Sequence, residues 1–381
     1  MNIRPADFDG RNEDLLESMR IALRCAPPAD REDEFPRAWW QHLASRGLLG
    51  VGFDADGRAA RADWAAISAL AGLIARETAS VGLALAWLMN EMLGRFVIGP
   101  HARNEAQRAL VRMMARGTKI VALAISEPKV GAHPKHLSCF ASRHDDHWQL
   151  DGEKAFVSNG PAADTVIVLA VTGEADGRKI FDAFVVATDA VGLNRLPNSR
   201  PAALPPLGHC GLAFDACHVA RAGRLRTDGR AFDLIAKPLR ALEDALLAGV
   251  VCGAMQAELN ALASWQRGAA PTPATLRTIG ALQLELAALA QLAAASASHL
   301  DRQGADDRLA DVNVGTRSML ERWQGACEAF AAPLDDHSPN LLELGRDIRT
   351  VLGIARGVGE ARQLASGTGL LNKKEPDEVP A

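Results

Sequence analysis

The sequence predicts an α+β fold in three parts. These are an N-terminal α-helical domain (residues 1–120), a middle antiparallel β-barrel or sandwich (121–228) and a C-terminal four-helix bundle (229–371), followed by a polar tail (372–381). Three observations predict it. Apolar residues recur at helical spacing near both ends of the chain. Between about 119 and 228 the period shortens, β-branched runs appear, and turn residues recur every eight to twelve positions. After 229, four long periodic segments follow one another, as in a helix bundle.

The elements follow in order. Asn12 to Cys25 carries apolar residues at 15, 16, 19, 21 and 23. Pro36 can open a helix that holds Trp39, Trp40 and Leu43 and ends near Gly47. Asp63 is a candidate N-cap for a helix through Ala79. Val81 to Ile98 is apolar nearly all round, so it should be buried on most sides. Ala106 to Arg116 is amphipathic and closes at Gly117.

In the middle part, Lys119–Ser126, Thr165–Val171, Ala183–Ala187 and Gly192–Leu196 read as strands. His147–Leu150 followed by Asp151-Gly152 reads as a strand entering a hairpin turn. Leu239–Trp265, Leu276–Leu300, Ala310–Phe330 and Leu341–Ser366 are the bundle helices. A β unit set between two helical ones leaves a crevice where all three meet, a common place for a ligand.

Composition narrows the function. The 381 residues are 48% apolar and 23% charged, an ordinary globular balance that excludes disorder and collagen-like chains. Net charge is −4, so no basic surface for nucleic acid is expected. The six cysteines form no C-x-x-C pair and read as free thiols in a reducing, cytoplasmic setting. No signal core opens the chain, and no run of some eighteen apolar residues is expected to reach a membrane. No G-x-G-x-x-G follows a strand, which argues against a nicotinamide Rossmann domain. His133, His136, His144 and His147 form H-x₂-H twice. Residues three apart on a strand face opposite ways, so these are not read as metal ligands. Tyrosine is absent altogether.

Four motifs carry a resemblance. Ala122-Leu-Ala-Ile-Ser-Glu-Pro-Lys-Val-Gly131 is similar to an "ALTEPxxG" stretch. Leu150-Asp-Gly-Glu-Lys-Ala-Phe-Val-Ser-Asn-Gly160 looks like "LxGxKxWITNG". Pro206-Leu-Gly208 with Leu212-Ala-Phe-Asp215 and His218-Val219 matches an "LG…LxFddVxV" strand pair, and Phe35-Pro36 through Leu48 fits an N-terminal run. Together they resemble the acyl-CoA dehydrogenase family over roughly residues 30 to 350.

The resemblance implies FAD as cofactor, an acyl-CoA thioester as substrate, α,β-dehydrogenation as reaction, an electron-transfer flavoprotein as acceptor, and a homodimer or homotetramer. It further implies that Ile125, Ser126, Phe156, Val157 and Ser158 line the flavin, with Phe156 in place of a tryptophan wall. The alternative for Ser126 and Ser158 is that they only satisfy loop backbone groups. The segment Leu242-Glu-Asp-Ala-Leu-Leu-Ala-Gly249 resembles the "LERLVLAG" of isovaleryl- and long-chain acyl-CoA dehydrogenases, which puts the catalytic base at Glu243. The alternative is a helix-start glutamate favoured by the macrodipole.

The pattern departs in places. The family's Arg after the base is Asp244, and its "GSD" is Gly131-Ala132-His133. The "RxxFGxxLxxFQ" motif falls on Ala269, Thr272, Pro273, Leu276, Ile279 and Gly280, with Arg277 and Gln283 near the lost Arg and Gln. "GGxGY" becomes Ala329-Phe-Ala-Ala-Pro333, while Arg346-Asp-Ile-Arg349 resembles "RDAR" and reads as a structural salt bridge. These losses motivate three rivals: a non-catalytic partner subunit of a hetero-oligomer, a same-fold flavin monooxygenase, and an acyl-thioester binding protein.

Overall fold

The structure is a computed structural model that describes residues 10–29, 35–54, 61–197, 204–267, 271–332, 339–354 and 356–372. Tail residues 373–381 and the position of Ala269 lie outside the described residues.

The N-terminal helices are α1 (Gly10–Arg24), α2 (Arg37–Ser45), α3 (Trp64–Thr78), α4 (Val81–Met92) and α5 (Glu105–Ala115). Short polar residues cap the starts of α3, α4 and α5. Asp63 accepts from the Ala66 amide, Ser80 from Leu83 and Asn104 from Gln107. Ala79 closes α3 in the left-handed region (φ 48°). After α4 the chain widens into a π-helical segment, Leu93–Ile98. Trp39, Trp40 and Trp87 are buried, and the Trp87 indole donates to the Leu48 carbonyl at 2.7 Å.

The middle part forms β1 (Val121–Ala124), β2 (Phe140–Arg143), β3 (His147–Ser158), β4 (Thr165–Ala175), β5 (Arg178–Ala187), β6 (Leu193–Leu196) and β7 (His209–Ala220). They make one curled seven-stranded sheet in the order β1-β4-β2-β3-β7-β6, with β5 beside β4. The sheet is mixed rather than wholly antiparallel, because β1 pairs parallel with β4 (Val121 opposite Thr165). One face closes over Trp148, Phe184, Leu212 and Cys217. The other packs Ile167, Leu169 and Phe181 against Phe53, Val97 and Leu110 of the helical part.

Asp151-Gly152 is not a turn; it lies inside β3. The chain reverses earlier, where the His144 amide donates to the His147 carbonyl at 3.0 Å. Gly152 (φ +128°) serves close approach instead, since a Cβ there would lie 2.8 Å from the Cys139 Cα.

The bundle comprises α6 (Lys237–Gln266), α7 (Pro273–Gln303), α8 (Asp307–Ala331) and α9 (Pro339–Gly353). The fourth helix is shorter than the sequence reading. It stops at Gly353, and α10 (Arg356–Leu371) follows as a separate helix that buries no residue. Only α9 inserts Leu344, Ile348 and Leu352 into the core; α10 is tethered through Arg362 to Asp307 and Asp311.

Helix α3 crosses α6 at very short range. A Cβ on Gly253 would stand 2.0 Å from the Gly72 carbonyl oxygen, and one on Gly249 2.7 Å from that of Ser68. One hydrophobic cluster therefore runs from Trp40 and Leu70 to Leu246 and Trp323, joining both helical parts.

The expectation that no segment is long and apolar enough for a membrane fails on length and composition. Val81–His101, Phe232–Gln266 and Pro273–Gln303 each reach mean hydropathy 1.4. Alanines and glycines raise the apolarity of helices that must pack closely. The first two bury 83% and 67% of their most apolar stretch in protein, but Pro273–Gln303 only 22%.

Two acids sit inside this frame. Glu258 is buried, accepts a 3.2 Å bond from Gln324 Nε2, and keeps a second oxygen without a partner. Desolvation raises its pKa to about 7 from 4.5, with Glu328 adding to the rise. Desolvation also raises Glu91 to about 7, against the Gly50 and Gly52 amides it accepts from. A carboxyl raised by folding stabilises fully below its unfolded pKa. That contribution is lost as pH climbs through the folded one. The urea midpoint should therefore fall between pH 4.5 and about 7, and Glu258→Gln should flatten that slope in denaturation curves taken across the range.

Candidate active site

A buried ion pair sets the first candidate region. Lys154 Nζ lies 2.9 Å from Glu127 Oε1, with side chains 1% and 4% exposed. The same ammonium donates to the Ile125 carbonyl at 3.0 Å. Glu127 also accepts from the Ser138 amide (2.7 Å), the Ser138 hydroxyl (2.8 Å) and the Cys139 amide (2.9 Å). Desolvation pushes the Glu127 carboxyl up, but Lys154 and these donors outweigh it and hold the group below its ordinary value. Both residues are letters of the two clearest motifs, yet sequence reasoning assigned neither a role. The missed signal was an acid and a lysine recurring at fixed motif positions.

This pair holds the loop after β1. The Ser126 carbonyl accepts from the Ala155 amide at 2.8 Å, and Glu127 and Gly131 exchange backbone bonds of 2.9 and 3.1 Å. Ile125 and Ser126 are thus pinned against β3 where β3 itself is irregular. Its register with β7 shifts between Lys154 and Val157, and Phe156 takes φ 56°. Val157 turns into the sheet core while the Phe156 ring is 45% exposed. Ser158 follows, half-buried, opposite His209.

Ile125, Ser126, Phe156, Val157 and Ser158 therefore meet around one bulge. Among the described residues, the hydroxyls of Ser126 and Ser158 make no hydrogen bond to the loop backbone. Buried Asn159 (φ 59°) adds an Oδ1 without a protein partner, and the sequence reading gave it no role.

Glu243 is the other candidate from the sequence. A π-helical turn, Phe232–Ala236, leads into α6, so Glu243 stands inside a continuous helix whose first turn holds a different acid, Asp233. A helix-start role does not fit that place. Its side chain is 30% exposed, and Arg240 lies 3.7 Å away. Its pKa is nevertheless raised, first by desolvation and further by Asp244, against Arg240 and Arg317. Glu243 is thus partly covered by its neighbours while one edge stays open.

Asp244, where the family carries arginine, is bonded by Arg240 from its own helix and by Arg317 from α8. A hollow of about 20 Å³ lies between Asp244, Leu247, Arg317 and Leu352. The two regions share one frame, because Ile125 packs against the cluster that contains Leu242 and Leu246.

Other sequence candidates separate. Gln283 bonds Gln256 at 3.0 Å, and Arg277 is exposed on α7. Arg349 pairs with Glu328, as a structural bridge would. His144 and His147 do not face apart. They flank the reversal before β3 and stack at 4.6 Å, and His147 stacks on His218 at 4.2 Å. Among the described residues no three His, Cys, Asp or Glu side chains are arranged for a metal ion.

Removing one partner of a desolvated pair leaves the other charge buried. Lys154→Met should cost about 3–5 kcal/mol, read as a lowered urea midpoint. The double replacement Lys154→Met with Glu127→Leu should recover much of the loss.

Residues 122–217 match the family model of the acyl-CoA dehydrogenase middle domain. An acyl-CoA dehydrogenase of Bacillus subtilis is 26% identical over 313 residues, covering 81% of this chain and 82% of that protein. A mitochondrial isovaleryl-CoA dehydrogenase of Pongo abelii is 28% identical over 240 residues, 62% of this chain and 56% of its own length. Among solved structures, butyryl-CoA dehydrogenase from Megasphaera elsdenii superposes with TM-score 0.79 at 18% identity, covering 97% of this chain and all (100%) of that one. A glutaryl-CoA dehydrogenase from Mycobacterium smegmatis in complex with FADH2 gives 0.79 at 17% identity, over 97% and 96%. The structural likenesses show the fold; residues 122–217 match the acyl-CoA dehydrogenase middle domain, and the sequence likeness to acyl-CoA dehydrogenases extends over most of the chain.

Proposed function

We propose that the chain is an FAD-dependent oxidoreductase that α,β-dehydrogenates an acyl-CoA thioester. The observation that carries this reading is Glu243: a largely covered carboxyl on α6, 30% exposed and 3.7 Å from Arg240, with its pKa raised by desolvation. A raised pKa makes such a carboxylate a stronger base toward an acidified α proton.

FAD fits the residues at the β3 bulge. Ser126 and Ser158 offer two half-buried hydroxyls without partners among the described residues, near the outward Phe156 ring. A flat ring with polar edges would use all three, with Ile125 and Val157 holding the backbone around them. When bound, FAD supplies a two-electron acceptor for the β hydrogen. The chain's own residues orient the thioester, exclude water and take the α proton onto a Glu243 carboxylate oxygen. Electrons then leave to an electron-transfer flavoprotein. The six unpaired cysteines support a reducing, cytoplasmic setting.

Two measurements test the reading. The purified protein should carry a visible flavin band, or gain one with FAD, and an acyl-CoA should bleach it anaerobically. A protein that stays colourless with added FAD removes the proposal. Glu243→Gln should lower turnover by about a thousandfold while sparing fold and flavin.

The proposed partner is a second copy of the chain, in a homodimer or homotetramer. Support comes from α7, whose most apolar stretch is only 22% buried while Leu276 and Leu284 are 57% and 73% exposed. A face this apolar on a folded chain reads as an interface. In sedimentation the parent should run as a multiple of one chain, and Leu276→Glu with Leu284→Glu should reduce it to a smaller species. An unchanged size would move the interface elsewhere.

A further inference from the structure

We propose that Arg317 is a positioning residue for Glu243: by clamping Asp244 against Arg240 it fixes where the Glu243 carboxyl stands and how much positive charge it meets. The inference rests on reading Glu243 as the base.

The argument begins on one helix. Arg240, Glu243 and Asp244 occupy i, i+3 and i+4 of α6, so one guanidinium faces two neighbouring carboxyls. Alone, this trio carries a net negative charge, and the two acids would compete for Arg240. Asp244 wins that contest in geometry. It accepts from both Nε (2.9 Å) and Nη2 of Arg240, while Glu243 stays 3.7 Å from Nη1.

Arg317 changes the balance from another helix. Its Nη2 bonds the same Asp244 oxygen, so two guanidiniums now face two carboxyls. The Arg317 and Asp244 side chains are each 17% exposed, which desolvates and stiffens the pair. The other guanidinium nitrogen is anchored as well. It donates to the carbonyls of Val351 (3.4 Å), Leu352 (2.9 Å) and Ile354 (2.6 Å), at the negative end of α9. Arg317 is thus fixed by the end of one helix and delivers its charge to another.

The charged groups facing Glu243 are Arg240 and Asp244 on α6 and Arg317 on α8. Desolvation pushes its pKa up, and Arg317 is one of the two groups opposing that push. The clamp also accounts for a departure noted in the sequence. Asp244 reverses the charge beside the base, and a guanidinium from α8 restores it.

The test follows Glu243 directly. Protein carrying ¹³Cδ-labelled glutamate is titrated by NMR, and the Glu243 signal is identified by its loss in Glu243→Gln. Arg317→Met should raise the Glu243 midpoint by about half a unit or more. Asp244→Asn should lower it, since a negative neighbour is removed and both arginines are released toward Glu243. Arg317→Lys, which keeps the charge, should stay near the parent. The pH profile of flavin bleaching by butyryl-CoA should move in the same directions.

Should Arg317→Met fail to fold, Asp244→Asn carries the test with the α9 anchor intact. A Glu243 midpoint unmoved in Asp244→Asn overturns the proposal, as does one unmoved in a folded Arg317→Met. Retained turnover in Glu243→Gln is a separate result: it removes the base reading, while the midpoints still report on the clamp.

Discussion

The candidate flavin edge depends on one buried ion pair. Lys154 and Glu127 are nearly inaccessible, and taking two charges out of water is costly. The pair is tolerated because every partner is present. Glu127 accepts four bonds, and Lys154 spends a second donor on the Ile125 carbonyl. Those contacts gather three segments: the end of β1, the entry to β2 and the middle of β3. Without those charges, the Ala155–Ser126 backbone bond at 2.8 Å would be left to hold Ser126 against β3.

A second constraint places the proposed base. Helix α6 lies against α3 at a distance only glycine allows, with Gly72, Gly249 and Gly253 at the crossing. Close contact over that stretch fixes the rotation of α6 about its axis. That rotation turns Leu242 and Leu246 into the shared core, and leaves Glu243 partly exposed beside Arg240 with Asp244 toward α8. A bulkier residue at the crossing would push α6 outward and move both acids together. Position at the site is therefore set by small residues remote from any chemistry.

What was legible in the sequence was local. The Asp63 cap, the buried Val81–Ile98 stretch and the close of α5 at Gly117 follow from short-range rules, and the structure bears them out. The motifs were legible because each is a contiguous string. Three features were not. Asp151-Gly152 has turn chemistry, but the cross-strand approach to Cys139 needed glycine there for a different reason. The break between α9 and α10 falls in a stretch that stays periodic, and it coincides with carbonyls that Arg317 takes up from 37 residues or fewer away in sequence. Arg317 itself looks like an ordinary helix-surface residue until α8 is packed on α6. Pairings between separate helices leave no local mark.

The β3 bulge joins these strands of argument. A phenylalanine at φ 56° sits where L-residues are disfavoured by about 1–2 kcal/mol. Such strain persists only when the surroundings over-determine it. Here they do: Lys154 on one side is locked by Glu127, and Val157 on the other is fully buried. With both flanks fixed and one extra residue between them, the chain can only expel the intervening side chain outward. The Phe156 ring is therefore held out by burial on either side, near two serine hydroxyls that have no partner among the described residues. An apolar ring presented at a cost in backbone strain, near polar groups of that kind, is the form a binding edge takes when the ligand completes it.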